Sequence, residues 1–393
     1  MATNALPISR FTVTSALGAG SAAHVEALLA RRTGLRKLSF ARSALDCWLG
    51  EIAGMDKPLP HAWRKWECRN NRLAEFALSQ DGFDADVAGC RERYGAERIG
   101  IFLGTSTSGI HHTELAYRER ASDGALPDWL DFRTTQNIFS ITDFVAQRLG
   151  VAGPSLAIST ACSSSAKVFA AAYRSIATGQ CDAAIVGGVD SLCLTTLYGF
   201  NSLQLLSSEM CRPADIARNG ISIGEAAGFA LLDPGAESAF SLLGYGESSD
   251  AYHMSSPEPN GAGAAASMRA ALGMAQVNPA DVDYVNLHGT GTLANDLAEC
   301  RAIVSVFGTT TPCSSTKGWT GHTLGAAGIV EAVLSLCCLQ QELLPASLNT
   351  RQKDPNIEAN IILENQRRTS RRILSNSFGF GGSNCSLLFG RES

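Results

Sequence analysis

At 393 residues the chain is longer than one average domain and can bury a large core, so two domains or one fused double domain is expected. Its 32 basic and 37 acidic residues leave a net charge of −5, which gives no global reason to expect nucleic acid or an anionic lipid surface as partner. The 12 cysteines include no C-x-x-C pair, and Cys181, Cys300, Cys337 and Cys338 fall inside apolar patterns. Neither a disulfide framework nor a structural zinc site is therefore expected, and a reducing, cytoplasmic setting fits.

The first segment, MATNALPISRFTVTSALG, has no basic stretch followed by a continuous apolar core, so it does not read as a signal peptide. No run approaches the ~20 apolar residues of a membrane span. HAWRKWECRNNR carries Arg64, Lys65, Arg69 and Arg72. If it is helical, Lys65, Arg69 and Arg72 share a face at i, i+4, i+7, either as a solvated surface or as a basic docking patch. RIGIFLGTST reads as a buried strand leaving through a Ser/Thr loop. SLAIST is a strand, 163–178 a helix, and DAAIVGGVDS another strand.

After about residue 236 the pattern restarts. SLLGYGESSD and VDYVNLHG read as strands around the helix GAAASMRAALGMA. A helix near 294–306, a strand near 312–316 and a long helix 325–341 follow. ILSNSFGFGGSNCSLLFG closes the chain as two strands around a Gly-rich turn. In each half a Ser/Thr-rich strand end feeds a small-residue helix (ISTACSSSA, then SSTKGWTGHTLGAAG). The order is that of α/β units and implies two related halves, 1–235 and 236–393.

Three residues carry the chemistry. Cys162 sits just before a predicted helix, where unpaired N–H groups and the macrodipole favour a thiolate; a lone cysteine is otherwise a small buried hydrophobe. His288 follows an apolar strand and precedes Gly-Thr-Gly-Thr, the place where α/β folds put ligands, with Thr290 and Thr292 on alternate loop positions. His322 starts another helical run and can donate a hydrogen bond from Nε2 to a developing oxyanion. His24, His61, His111, His112 and His253 lack this setting and read as surface or packing residues. Lys317 and Glu331 flank His322, either as an ion pair or as solvated charges. The backbone N–H of Phe380, in a turn shared with Phe378, can pair with that of Cys162 as an oxyanion hole; a tight hairpin with aromatic packing is the alternative.

Taken together and in order, STACSSSA, NLHGTGT, STKGWTGHTLGAAG and NSFGFGGSN resemble the motifs of the elongating β-ketoacyl-acyl-carrier-protein synthases, types I and II, of the thiolase-like superfamily. The resemblance covers nearly the whole chain. Within that family GTSTSG, NGISIGEAAG, NLHGTGTLAND and above all GESSDAYHMSSPEPNG, which lies outside the catalytic motifs, look like the ketosynthases of bacterial aryl-polyene clusters. The resemblance implies an α/β thiolase-like fold with two duplicated βαβαβαββ halves in a five-layer αβαβα sandwich. It makes Cys162 the acyl acceptor, with His288 and His322 stabilising the enolate of a decarboxylated malonyl thioester. Lys317 supports the His322 segment with Glu331 as partner. Phe380 gates access with Phe378 packed beside it, and Thr290 and Thr292 bind pantetheine. At the acyl-pocket entrance Thr107 stands where the family usually has an apolar residue, which implies a polar wall.

The resemblance implies no metal and no cofactor, because substrates ride on the phosphopantetheine of an acyl carrier protein. The carrier is acidic, which casts Arg64, Lys65, Arg69 and Arg72 as its docking patch. It further implies dimerisation through the strand DAAIVGGVDS, with TQNIFSITDFVAQRLG at the interface. The second subunit is either another copy or a chain-length-type subunit. Alternative readings are a primary-metabolism fatty acid synthase of the same type, or a non-catalytic binding or chain-length partner of the same fold.

Overall fold

Alternating apolar runs and small-residue helices produce a single long sheet wrapped by helices. The computed structural model describes residues 5–391. The first half contributes strands Leu6–Ser15, Ile99–Gly104, Ser155–Ile158, Ala183–Asp190 and Ala226–Leu232. The second contributes Phe240–Ser249, Tyr284–Asn286, Pro312–Ser314, Arg372–Gly379 and Ser383–Arg391. Counted within its own half, each set lies side by side in the order third, second, fourth, fifth, first, and the two sets join where Leu6 and Pro7 pair with Leu242 and Ser241. Directions match as well: second pairs third and fourth in parallel, and fifth pairs fourth and first antiparallel. Each half therefore runs βαβαβαββ.

Three cores separate five layers. One lies between the first half's sheet and its outer helices Arg69–Leu78 and Ser140–Leu149. A second lies between the other half's sheet and Ala262–Ala275 with Leu293–Phe307. The largest surrounds two central helices, Ser164–Ala177 and Ala327–Gln341. Parallel strands buried on both faces are continuous apolar runs, as in AAIVGGVD, where all eight residues are buried. The two central helices meet backbone to backbone: a Cβ on Gly328 would stand 2.4 Å from the Ala166 nitrogen. Glycine permits that approach and brings together the chain segments that precede the two helices.

Leu324–Gln341 does have the length and hydropathy of a membrane span, contrary to the sequence expectation, but 89% of it is buried as this central core element. The expected dimerisation strand is also corrected. Ala183–Asp190 lies inside the sheet, paired with Ile99–Gly104 on one side and Ala226–Leu232 on the other, and has no edge to offer. The open edge of that half belongs to Ser155–Ile158, where Leu156 is 40% exposed.

Candidate active site

The three chemistry-bearing residues arrive from equivalent and neighbouring connections. Cys162 follows the third strand of the first half and precedes a central helix; His322 does the same in the second half. Ala161 is held at φ 52°, a left-handed conformation that is strained for a residue with a Cβ. Such strain is characteristic of turns that project a reactive side chain. The Cys162 sulfur and one ring nitrogen from each of His288 and His322 lie within 4.8 Å of one another. The imidazoles meet edge to face, with centroids 5.3 Å apart.

Hydrogen bonds fix the imidazole tautomers. Leu324 N–H donates to His322 Nδ1 at 3.2 Å. The Lys317 ammonium lies 3.3 Å from His288 Nδ1 and also donates to the His288 carbonyl. Both Nδ1 atoms are therefore acceptors, and both rings carry their proton on Nε2. Burial drives both imidazoles well below 6.5, reinforced by Lys317 at each and by His322 at His288, so both are neutral. Lys317 pairs with Glu331, both buried. Burial pushes the Glu331 carboxyl up to about 7 against the pull of Lys317. The lysine thus braces His288 directly, where the resemblance had assigned it to the His322 segment.

The nucleophile does not rest as a thiolate. Burial pushes the Cys162 thiol up to about 11. Lys317 and the Phe380 N–H oppose that rise, and Asp190 adds to it. The helix N-terminus, which begins at Ser164, does not overcome desolvation.

Cys162 stands where two cavities meet. One, of about 310 Å³, is lined by His288, His322, Thr290, Thr292 and Phe378. The other, of about 430 Å³, is lined by Ser106, Thr196, Leu203 and Leu324. Phe380 and Phe200 line both, with ring centroids 5.7 Å apart. Phe378 packs on His288 at 5.9 Å rather than beside Phe380. The Thr290 and Thr292 hydroxyls bond each other at 2.9 Å, and Thr292 caps helix Leu293–Phe307. The sulfur and the two imidazoles are also a donor set of zinc type, but the adjacent Lys317 ammonium opposes a divalent cation there.

Two expectations fail because carboxylates claim the side chains, Asp190 and Glu225 from far along the chain and Glu67 from five residues away. Thr107 lines neither cavity. Its hydroxyl and N–H both donate to Asp190 at 2.8 Å, while Ser106, bonded to the same carboxylate, is the loop residue that lines the second cavity. The basic segment is not one helical face either: 61–66 is a 3₁₀ turn and the helix starts at Arg69. Arg69 is consumed by the fully buried Glu225 and by Glu51, and Arg72 by Glu67. Arg64 and Lys65 remain exposed.

Sequence reasoning missed the residues that hold the site. Asp190 accepts from Thr105, Ser106 and Thr107 and from Gly325 N at 2.5 Å, tying the two halves together beside Cys162. Glu299 accepts from the N–H groups of His288 at 2.8 Å and Gly289 at 2.7 Å, and from Asn376. A carboxylate ending an apolar strand (GGVDS) was the available signal for Asp190; Glu299, amid the helix ANDLAEC, gave none.

Residues 72–238 match the model of the beta-ketoacyl synthase N-terminal domain, and 239–351 that of its C-terminal domain. A 3-oxoacyl-[acyl-carrier-protein] synthase 2 of Staphylococcus aureus is 33% identical over 311 residues, covering 75% of this chain and 77% of that protein. Among solved structures, the ketosynthase ApeO in complex with its chain length factor ApeC, from Xenorhabdus doucetiae, superposes with a TM-score of 0.91 at 38% identity, over 99% of this chain and 98% of that one. The ishigamide ketosynthase/chain length factor gives 0.88 at 26% identity, over 99% of each.

Proposed function

The chain belongs to the beta-ketoacyl synthase family, and on that premise we propose that it extends an acyl group held on Cys162 by two carbons from a malonyl thioester, both delivered by an acyl carrier protein. The observation that carries this reading is the cluster of one thiol and two neutral imidazoles, protonated on Nε2, at the meeting of two cavities.

In the first step the Cys162 sulfur bonds to the acyl carbonyl carbon, and the carrier's C–S bond breaks. The thiol proton leaves with the carrier thiol, as a resting value near 11 requires. The N–H groups of Cys162 and Phe380 hold the tetrahedral oxyanion. In the second step malonyl loses carbon dioxide, and the bonding pair becomes an enolate. The Nε2–H groups of His288 and His322 donate to its oxygen, so no strong base is needed. The enolate carbon then attacks the acyl carbonyl, the Cys162 C–S bond breaks, and the sulfur regains a proton from solvent. Thr290 and Thr292 line the cavity on the pantetheine side, and the paired rings of Phe380 and Phe200 separate it from the acyl side.

We further propose aryl-polyene biosynthesis as the pathway, on the character of segment 246–261 and the 38% identity to ApeO. The proposed partner is a chain-length-type subunit, as both ketosynthases compared above are paired with chain length factors. The open strand edge Ser155–Ile158 and the exposed Trp129, Phe132, Ile138 and Phe139 support such an interface. Carrier docking narrows to Arg64 and Lys65. Twelve unpaired cysteines support a cytoplasmic setting.

The test is intact-protein mass spectrometry after incubation with an octanoyl carrier thioester, then with malonyl carrier. An octanoyl adduct mapped to Cys162, discharged as a β-ketoacyl product, is expected. No adduct on Cys162 overturns the reading. A product confined to saturated chains in the full reconstituted pathway favours a primary fatty acid synthase.

A further inference from the structure

The acyl-side cavity has two walls that the sequence supplies from far apart. One is the loop Thr105–Ser108, whose Ser106 lines the chamber and which leads directly into helix Ile110–Arg118. The other is helix Leu194–Ser202, which presents Thr196, Gly199, Phe200 and Ser202. Phe200 also carries the ring stacked on Phe380.

Helix Leu194–Ser202 has no cap of its own. Cys193 at its N-cap makes no capping bond to the helix backbone, its thiol meeting the Thr196 hydroxyl at 3.0 Å instead, and the first turn holds no acidic residue. Its free donors would otherwise be unpaired. They are met by Glu114, from the opposite wall. Leu194 N–H donates to Oε2 at 3.0 Å, and Thr195 donates to Oε1 through its N–H at 2.6 Å and its hydroxyl at 2.7 Å. His111, one turn earlier on Glu114's own helix, reaches Oε2 at 3.3 Å and fixes the carboxylate from behind. Burial raises the Glu114 carboxyl, but the bonds from His111, Thr195 and Leu194 together bring it down to about 2, so the cap is an anion at any working pH.

From this geometry we infer that Glu114 is a positioning residue that sets the spacing of the two walls, and so selects which acyl chains Cys162 accepts. One carboxylate joins the wall bearing Ser106 to the wall bearing Phe200. It touches neither the Cys162 sulfur nor the imidazoles of His288 and His322. Its influence therefore falls on the acyl side, while the carrier side keeps its own supports in Lys317 and Glu299. This inference rests on the condensing reading above.

The experiment compares wild type with Glu114→Ala, Glu114→Gln and Thr195→Val. Single-turnover acylation of Cys162 is followed by mass spectrometry with acetyl and with dodecanoyl carrier thioesters, and carbon dioxide release from malonyl carrier is measured in parallel. For Glu114→Ala the ratio of dodecanoyl to acetyl acylation rates should shift by about tenfold or more, equivalent to ~1.4 kcal/mol. Acetyl acylation and decarboxylation should stay within about twofold, since no group that meets the reacting atoms has changed. Glu114→Gln keeps an acceptor oxygen but loses the charge, and should recover part of the wild-type ratio. If Glu114→Ala does not fold, Thr195→Val removes a single donor and should move the ratio in the same direction. An unchanged ratio, or an equal loss for both chain lengths and for decarboxylation, overturns the inference. Failure of the wild type to acylate at all sinks the condensing reading instead.

Discussion

The two halves share strand order and direction, yet equivalent positions do different work. After the third strand the first half places a thiol, Cys162, and the second an imidazole, His322. After the second strand the first half places the hydroxyl loop Thr105–Thr107, and the second places His288 and the Thr290–Thr292 loop. The carboxylates that hold these loops also differ. In the first half Asp190, at the end of the fourth strand, takes the donors of 105–107. In the second that strand end is the Phe378–Phe380 turn, and Glu299 reaches in from a helix instead. The lesson is one of division: one copy supplies the thiol and most of the cavity wall behind it, the other the neutral imidazole donors, with Leu324 and Phe380 completing that wall. Asp190, bonded to Gly325 N, ties the two together.

The division can be broken most directly at the nucleophile. Cys162→Ala should lower condensation by at least about 10³-fold, because no covalent acyl intermediate can form. Carbon dioxide release from malonyl carrier should persist, since the second half is intact. Loss of both activities would mean that the halves do not act separately. Next in size is Lys317→Ala, which strands Glu331 in the core; removing one member of a buried pair typically costs ~3–5 kcal/mol, read from chemical denaturation. Lys317→Ala with Glu331→Ala should cost less than the sum of the single changes, because the two share one interaction. His288→Ala and His322→Ala should each lower decarboxylation by about 10²–10³-fold, the usual consequence of deleting one preorganised donor. Both should still form the acyl adduct. A variant that loses acylation to the same extent would place its imidazole in the first step too.

Much of the site was legible because its reacting atoms sit in local motifs. Cys162, His288, His322 and the Phe380 turn each lie within a few residues of a strand end, where period and glycine content mark them. The duplicated strand order was legible for the same reason, as each half repeats its alternation. What could not be read was anything set by closure across the chain. Arg69 looked like a free surface charge because Glu225, which claims it, is 156 residues away. Thr107 looked like a pocket wall because Asp190 is 83 residues away. The dimerisation strand carried over from the family resemblance was misplaced, because only the order of pairing shows that Ala183–Asp190 is interior.

The smallest expected effect sharpens the assignment of neutral imidazoles. An imidazole at its ordinary value of 6.5 would be about three-quarters protonated at pH 6, and a step needing its neutral form would slow about fourfold between pH 8 and pH 6. Here burial and Lys317 hold both rings well below that value, so the neutral forms persist through this range. The sign is definite: a lowered imidazole value moves the acid limb to lower pH and never to higher. Protonation of the rings themselves should therefore change decarboxylation by less than about twofold from pH 8 to pH 6, any larger change belonging to the Glu331 and Glu299 carboxyls, which burial pushes up to about 7. Lys317→Met removes the charge that helps depress both values, so its acid limb should move up toward 6.5 while the wild type stays flat. A midpoint near 6.5 that persists in both Glu331→Gln and Glu299→Gln would show at least one ring charging during turnover, and the second half would then act by titratable rather than fixed donors.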